Sequence, residues 1–309
     1  MKLRLISGTS NFSLAEDMAM HLGIPLTSRI IKRFKDGEVY VQVKENIRGD
    51  DIFIIQSVSN PVNDSLMELL ILIDALKRAS AGRITAVITY YGYSRQDRKA
   101  EAREPISAKL VANMLVSAGV HRIVTVDLHA PQLQGFFDIP ADGVSAIPIF
   151  ARYFAEKNIE DGVIVSPDTG GVKRALSLAR RLNMPIAIID KRRTVHNDVD
   201  VMSVVGDVEG KTAIIIDDII DTGNSIIKSV NKLSETAKEV YVCATHPVFS
   251  DGCYDRLANS KVKEVVVTNT IPLMRNDSDK IKVLNMGKFL SDVIYNIHND
   301  RSVSELFNQ

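Results

Sequence analysis

Short apolar runs rich in β-branched residues recur along the whole chain, and they constrain its fold more than any other feature. They are LRLI (3–6), IFIIQ (52–56), ITAVI (84–88), RIVTV (122–126), GVIVS (162–166), IAIID (186–190), TAIIID (212–217), EVYVCA (239–244) and EVVVT (264–268). Most are continuously hydrophobic rather than alternating, the pattern of strands buried on both faces of a parallel sheet. Helical patterns such as DSLMELLILIDALKRAS, SAKLVANMLVSAG and GGVKRALSLARRL lie between them. Strand alternating with helix predicts an α/β fold with right-handed crossovers. Gly23, Gly82 and Gly119 fall where helix C-caps are expected. One segment breaks the pattern. In FKDGEVYVQVKENIRG (34–49), Val39, Val41 and Val43 alternate with Tyr40, Gln42 and Lys44, which predicts an antiparallel flap or edge strand with one wet face.

The 309 residues accommodate two domains, each of about 150 residues. ADGVSAIP puts Gly and Pro between helix-rich halves, so the expected domains are 1–145 and 146–309, with the C-terminal tail packing back on the first. Each half has strands that end in acidic, polar loops (VTVDLHA, VSPDTGG, IIIDDIIDTGN), the sign of a duplicated fold. Lys plus Arg (38) equals Asp plus Glu (38), so no net field attracts nucleic acid or an anionic membrane. The longest apolar stretch, MELLILIDAL (67–76), is interrupted by Glu68 and Asp74 and is too short to span a bilayer. The N-terminal MKLRLISGTS reads as a strand rather than a signal peptide, so a cytoplasmic location is expected. Cys243 and Cys253 lack a CxxC pattern or histidine companions and read as buried or idle thiols in a reducing compartment.

In open α/β sheets ligands sit outside the carboxyl ends of the strands, so the residues just after the apolar runs carry the chemistry. The strongest signal is IIIDDIIDTGNSI (214–226). The buried strand is expected to stop at Asp217, with a turn leading into a helix near Ser225. Backbone N–H groups at 222–225, with the hydroxyls of Thr222 and Ser225, would make an anion pocket at a helix N-terminus. Asp217 and Asp218 cannot attract a phosphate, but they can accept hydrogen bonds from sugar hydroxyls or hold a metal. Phosphate donors and hydroxyl acceptors so close together describe a sugar phosphate. A plain N-cap turn has no use for three Asp. Neither GxxxxGK[ST] nor GxGxxG occurs, so a nucleotide would be bound by some other geometry.

The loop resembles the phosphoribosyl-diphosphate motif shared by phosphoribosyltransferases and ribose-phosphate pyrophosphokinases. FKDGE (34–38), YYGYSRQDRK (90–99), VDLHAPQLQGFFDIPADG (126–143), VSPDTGGVKRA (165–175) and KRR (191–193) are similar to signatures of the class I pyrophosphokinases, in the same order and essentially end to end. The resemblance implies two similar domains of phosphoribosyltransferase type I fold. It also implies transfer of the β,γ-diphosphoryl group of ATP to the anomeric hydroxyl of ribose 5-phosphate, leaving AMP, in a Mg²⁺-dependent step of nucleotide biosynthesis. Such a transfer demands charge neutralisation and alignment more than covalent catalysis.

By the same resemblance Lys191 and Arg193 are the catalytic cations, and Arg193 also serves the ribose phosphate. Two apart in extended backbone, they point to one side and Arg192 to the other. TVHNDVD (194–200) then reads as a mobile lid. Arg95, Gln96 and Asp97 are implied in ATP binding, with Arg95 on the phosphates. Phe34, Asp36, Gly37 and Glu38 resemble an adenine flap, in which the ring stacks on the base and the carboxylates accept from N6. In the family that flap reaches into a neighbouring subunit, so a hexamer built from dimers is expected. Asp217, Asp218, Asp221, Thr222, Gly223, Asn224 and Ser225 are implied in ribose 5-phosphate binding. His129 and Asp168 are implied at a magnesium site. Mg²⁺ prefers oxygen, so His129 acts through a water or on the ATP phosphates instead.

Two places depart from the family pattern. Asn224 and Ser225 stand where Gly-Thr is usual; Asn tolerates left-handed backbone and Ser keeps the hydroxyl, so binding should survive. Asn46 replaces a serine before Ile47-Arg48-Gly49, and Gly143 replaces a polar residue, so regulation by ADP and phosphate is not carried over, although SVSELF (302–307) is family-like. A phosphoribosyltransferase would not need the RQD, DLHA and KRR segments. A catalytically dead regulatory homologue would be expected to lose Lys191, Arg193, His129 or Asp168, all of which are present.

Overall fold

The computed structural model describes residues 1–193, 200–275 and 278–307. The chain divides into two compact units, Met1–Ser145 with Thr270–Pro272 and Asn285–Gln309, and Ala146–Asn269 with Leu273–Leu284. Every apolar run named above forms a strand. None of the described helices is long and apolar enough to cross a membrane.

In the first unit, β1 (Leu3–Ser7), β4 (Asp51–Gln56), β5 (Arg83–Ile88), β6 (Arg122–Val126) and β7 (Ala141–Val144) form a parallel sheet in the order β1-β4-β5-β6-β7. Helix α1 (Phe12–Leu22) carries the chain to Leu26, which bridges Leu5 on the free side of β1. An antiparallel hairpin follows, β2 (Arg29–Arg33) with β3 (Val39–Val43). This is the segment whose alternation set it apart. Helices α2 (Val62–Arg78) and α3 (Ser107–Ala118) then take the chain the other way across the sheet. The chain thus leaves β1 in one direction and β4 in the other, and a topological switch point lies between them. Leu69, Leu72 and Leu76 of α2 pack with Ile54, Ile84 and Ala86 of the sheet, all fully buried. Each such leucine or isoleucine contributes about 1.5–3 kcal/mol.

The second unit repeats this plan. Its sheet runs β10 (Asp200–Val205), β9 (Ile186–Arg193), β8 (Gly162–Ser166), β11 (Thr212–Ile220), β12 (Glu239–Pro247), β13 (Glu264–Thr268) and β14 (Ile281–Leu284). Only the β9–β10 pair is antiparallel. Helix α5 (Val172–Leu182) leads from β8 to β9, and α6 (Asn224–Leu233) from β11 to β12. The switch point therefore falls between β8 and β11. Strand for strand, β8 answers to β1, the β9–β10 hairpin to β2–β3, and β11 to β4. The duplication expected from the acidic loops is present. Helix α4 (Ile147–Glu156) ends the first repeat in sequence yet packs on α5. In the same way, the helix Gly287–His298 ends the second repeat and packs on α1. Ser291 Oγ donates to Met18 O at 3.2 Å, and any Cβ at Gly287 would strike Asp17.

Three local expectations change. Gly23 and Gly119 are left-handed C-caps, but α2 is capped at Ala79, with Ser80 left-handed, and Gly82 is not a cap. Gly82 is a glycine because a Cβ there would lie 2.7 Å from Gly49 O. Strand β9 continues through Lys191, Arg192 and Arg193 rather than ending at Asp190. Strand β11 continues through Asp217 to Ile220.

Candidate active site

The acids of β11 interrupt its apolar run but not its ladder. Pairing with β12 persists to Ile220↔Pro247, whereas pairing with β8 ends at Ile215↔Val165. Asp217 and Asp218 therefore stand past the end of β8, at the switch point. From the first turn of α5, Arg174 reaches both: Nη1 lies 3.3 Å from Asp217 Oδ1 and Nη2 lies 3.3 Å from Asp218 Oδ1. Asp217 Oδ1 also accepts the Asp218 N–H at 2.9 Å. Burial first, and the Asp218 carboxylate second, push the Asp217 carboxyl up to about 7, against the pull of Arg174.

Only Asp221, Thr222 and Gly223 separate β11 from α6. Gly223 is the N-cap at φ 78°, and a Cβ there would lie 2.8 Å from Cys253 Sγ. Both the left-handed backbone and the close approach require glycine. As a glycine it brings no side-chain oxygen to the first turn of α6, the end of a helix where an anion is favoured. Asn224 is not the left-handed residue. It opens the helix, exposed, with its N–H 3.5 Å from Thr222 Oγ1. The departure from Gly-Thr thus falls where ordinary helical geometry suffices. Behind the loop, Ser250 Oγ donates to Asp221 Oδ1 and Arg256 Nε donates to Thr222 O at 2.8 Å. Burial pushes the Cys253 thiol up to about 12, so it packs there uncharged.

Across the switch point, the loop after β8 carries Asp168, exposed, whose Oδ1 accepts the Gly171 N–H at 2.9 Å. Ser166 Oγ donates to Asp168 O at 2.7 Å. Next to β8, Lys191 and Arg193 stand at the carboxyl end of β9, their backbone paired with Met202 and Asp200. Of the lid segment TVHNDVD, residues 194–199 lie outside the described residues and Asp200 opens β10. The second unit therefore gathers Asp168, Asp217, Asp218 and Asp221–Ser225 at one switch point, with Lys191 and Arg193 on the adjoining strand.

The remaining candidates belong to the first unit. Phe34, Asp36, Gly37 and Glu38 form the exposed tip of the β2–β3 hairpin. The Phe34 N–H donates to Glu38 O at 2.8 Å and the Glu38 N–H to Asp36 Oδ1 at 3.1 Å, with Gly37 at φ 95°. Phe34 meets the Tyr40 ring edge-on at 5.9 Å. Arg95, Gln96 and Asp97 follow β5, where Ser107 Oγ donates to Gln96 Oε1 at 2.5 Å and Gln132 Nε2 to Asp97 Oδ2 at 3.3 Å. His129 is exposed after β6, two residues beyond Asp127, which is held at φ 34°. Every candidate except the hairpin tip lies at the carboxyl end of a parallel strand. The two residues assigned to magnesium belong to different units.

Sequence reasoning missed Arg174. The signal was there: α5 has no acidic residue in its first turn but begins Val-Lys-Arg. Cations at a helix N-terminus oppose the macrodipole, so such a residue needs an acidic partner elsewhere.

Comparison with known proteins gives the family. Residues 3–119 match the family model described as the N-terminal domain of ribose phosphate pyrophosphokinase, and residues 193–308 match the phosphoribosyl synthetase-associated domain. The ribose-phosphate pyrophosphokinase of Fusobacterium nucleatum is 54% identical, over 99% of this chain and 98% of that protein. That of Bacillus caldolyticus is 55% identical, over 99% and 98%. The crystal structure of phosphoribosylpyrophosphate synthetase from Mycobacterium smegmatis superposes with a TM-score of 0.92 at 43% identity, covering 97% of this chain and 100% of that one. Two repeated α/β units with an acidic loop at the switch point of the second, and full-length relatives sharing about half the residues, place this chain in the ribose-phosphate pyrophosphokinase family.

Proposed function

We propose that the protein transfers the β,γ-diphosphoryl group of ATP to the C1 hydroxyl of ribose 5-phosphate, giving 5-phosphoribosyl 1-diphosphate and AMP. The observation that carries this reading is the acidic pair and glycine-capped helix start at the β8–β11 switch point. It offers acceptors for sugar hydroxyls beside donors for a phosphate. The 5-phosphate takes the first-turn N–H groups of α6 with the hydroxyls of Thr222 and Ser225, and Asp217 and Asp218 take the ribose hydroxyls. The C1 oxygen bonds to the β-phosphorus, the bond from that phosphorus to the α-phosphate oxygen breaks, AMP leaves with the electron pair, and the hydroxyl proton is lost. Lys191 and Arg193 neutralise charge on the group in flight. The hairpin tip holds adenine, and Arg95 holds the ATP phosphates with Gln96 and Asp97 beside it.

Among the described residues no cluster of three or more His, Cys, Asp or Glu side chains could cage a metal ion. Magnesium asks for less, because it keeps several waters and binds through one or two carboxylates plus substrate phosphates. The exposed Asp168 carboxylate, with one oxygen steadied by Gly171, fits that demand. His129, a nitrogen donor, fits better as a contact to the phosphates. Bound at Asp168, Mg²⁺ would neutralise charge on the ATP phosphates.

The family resemblance supports a cytoplasmic hexamer built from dimers, which light scattering tests. The activity is tested by incubating the protein with Mg²⁺, ATP and ribose 5-phosphate. AMP is the expected product; ADP, or no turnover, would overturn the reading.

A further inference from the structure

The loop after β11 is held from behind, residue by residue, by the segment that follows β12. The Phe249 N–H donates to Ile220 O and the Ser250 N–H to Asp221 O, each at 3.1 Å. Arg256, half-buried in the short helix Cys253–Ala258, donates from Nε to Thr222 O at 2.8 Å, and Cys253 Sγ packs against Gly223. Every residue from Ile220 to Gly223 is thus fixed from one side. On the same edge of the Arg256 guanidinium, Nη2 donates to Asp251 O. One planar fork therefore ties a carbonyl of the loop to a carbonyl of the segment that braces it, a geometry a lysine ammonium does not offer. The brace is itself bent hard, with φ of 48° at Phe249, 46° at Asp251 and 71° at Gly252. Left-handed backbone at residues other than glycine persists only where the surroundings over-determine it, and it gathers at functional sites.

What the fork controls is a peptide plane. In a trans peptide the C=O and N–H point opposite ways, so gripping Thr222 O at the back of the loop turns the Gly223 N–H to the front. Without that grip the plane would be loosely set, because a glycine populates both signs of φ. A guanidinium on the carbonyl also polarises the peptide and strengthens its N–H as a donor. We infer that Arg256 is a positioning residue for the 5-phosphate, aiming the Gly223 N–H into the phosphate cradle before the substrate arrives. A donor already aimed binds the anion without the cost of ordering the loop. This inference rests on the assignment of Asp221–Ser225 to ribose 5-phosphate.

The test is a pair of substitutions in the full-length protein, assayed by AMP release. Arg256→Met removes the donors and keeps the apolar stem. Arg256→Gln carries an amide nitrogen where Nε stood, so it keeps a donor for Thr222 O without the charge. Arg256→Met should raise KM for ribose 5-phosphate about tenfold or more, with KM for ATP unmoved. Arg256→Gln should recover most of that loss, leaving KM for ribose 5-phosphate about two- to threefold above the unaltered protein. If Arg256→Met does not fold, that smaller rise, again with KM for ATP unmoved, carries the comparison alone. Equal effects of the two substitutions would make the charge, not the aimed peptide, the operative feature and overturn the inference. A parallel rise in both KM values would overturn it too, as would lost thermal stability with KM for ribose 5-phosphate unmoved. An unaltered protein that releases no AMP would overturn the functional assignment beneath it, and the inference with it.

Discussion

In the first unit, the loop after the opening strand closes on the chain's own side chains. The Glu68 carboxylate of α2, 2% exposed, accepts the Thr9 N–H at 2.6 Å, the Thr9 hydroxyl at 2.7 Å and the Gln56 amide at 3.0 Å. Gln56 in turn accepts the Ser10 hydroxyl at 2.6 Å, and a Cβ on Gly8 would run into it. Arg29, at the base of the hairpin, seals the loop by donating to the carbonyls of Ser7 and Gly8. In the second unit, the loop after β8 keeps Asp168, Thr169 and Gly170 exposed, and across the switch point Asn224 and Ser225 are exposed as well. The two switch points share one topology. A parallel sheet supplies the crevice, and the side chains decide whether it becomes core or site. The nucleotide candidates of the first unit accordingly lie away from its filled crevice, at the hairpin tip and beyond β5 and β6.

The comparison breaks most directly at Lys191, in the hairpin that answers to β2–β3. If the chemistry belongs to the second unit, Lys191→Ala should lower kcat a hundredfold or more, about 3 kcal/mol of transition-state stabilisation. A variant keeping half its activity in steady-state assays would remove Lys191 from the catalytic set. Glu68→Ala tests the other crevice. Leaving the Thr9 N–H and the Gln56 amide unmet in a buried site should cost about 2–3 kcal/mol in urea unfolding, with KM for ribose 5-phosphate unchanged. Loss of sugar affinity at full stability would make the first crevice a site after all.

Asp217→Asn should have the opposite sign. The folded carboxyl is raised to about 7 from an ordinary 3.8, so between those values the folded protein keeps a proton that the unfolded chain has released. Stability therefore falls as pH rises through that window, and the cost is complete above it. Asparagine removes the cost. The variant should be more stable than the parent by about 1–2 kcal/mol above pH 7, a figure discounted for partial solvent access, and the gain should vanish below pH 4. Thermal unfolding across pH reads this directly. A constant difference at all pH values would show that Asp217 is not a strained site carboxylate.

How legible this was in the sequence depended on whether apolarity marked the feature. Doubly buried strands such as Ile52–Gln56 and Val163–Ser166 announce themselves by continuous hydrophobic runs. The ends of β9 and β11 do not, because Lys191–Arg193 and Asp217–Asp218 are polar residues held extended by pairing with β10 and β12. The short edge strands β7, β10 and β14 were missed for a related reason: with a single sheet neighbour each, they have little need for a hydrophobic run. The loop at Asp221–Ser225 was readable from its residue types, but its left-handed position was not. Asn224 looked like the strained residue, whereas Gly223 carries the positive φ and frees Asn224 to begin the helix. The filling of the first crevice was illegible, since nothing in Glu68's place on an amphipathic helix tells that it reaches back to Thr9.

Phe34 gives the smallest expected effect and the finest test. The ring is 48% exposed, and it touches Tyr40 and the Lys32 ammonium within its own hairpin. Folding gains little from a ring so placed, so Phe34→Ala should leave thermal stability nearly unchanged. A ring stacked on a base is worth about 1–3 kcal/mol on alanine substitution, and an exposed arm belongs at the low end. KM for ATP should therefore rise about fivefold, with KM for ribose 5-phosphate unmoved. Should both constants rise together, the hairpin tip would be acting on the sugar site as well, and the division of labour between the two units would fail at its most exposed point.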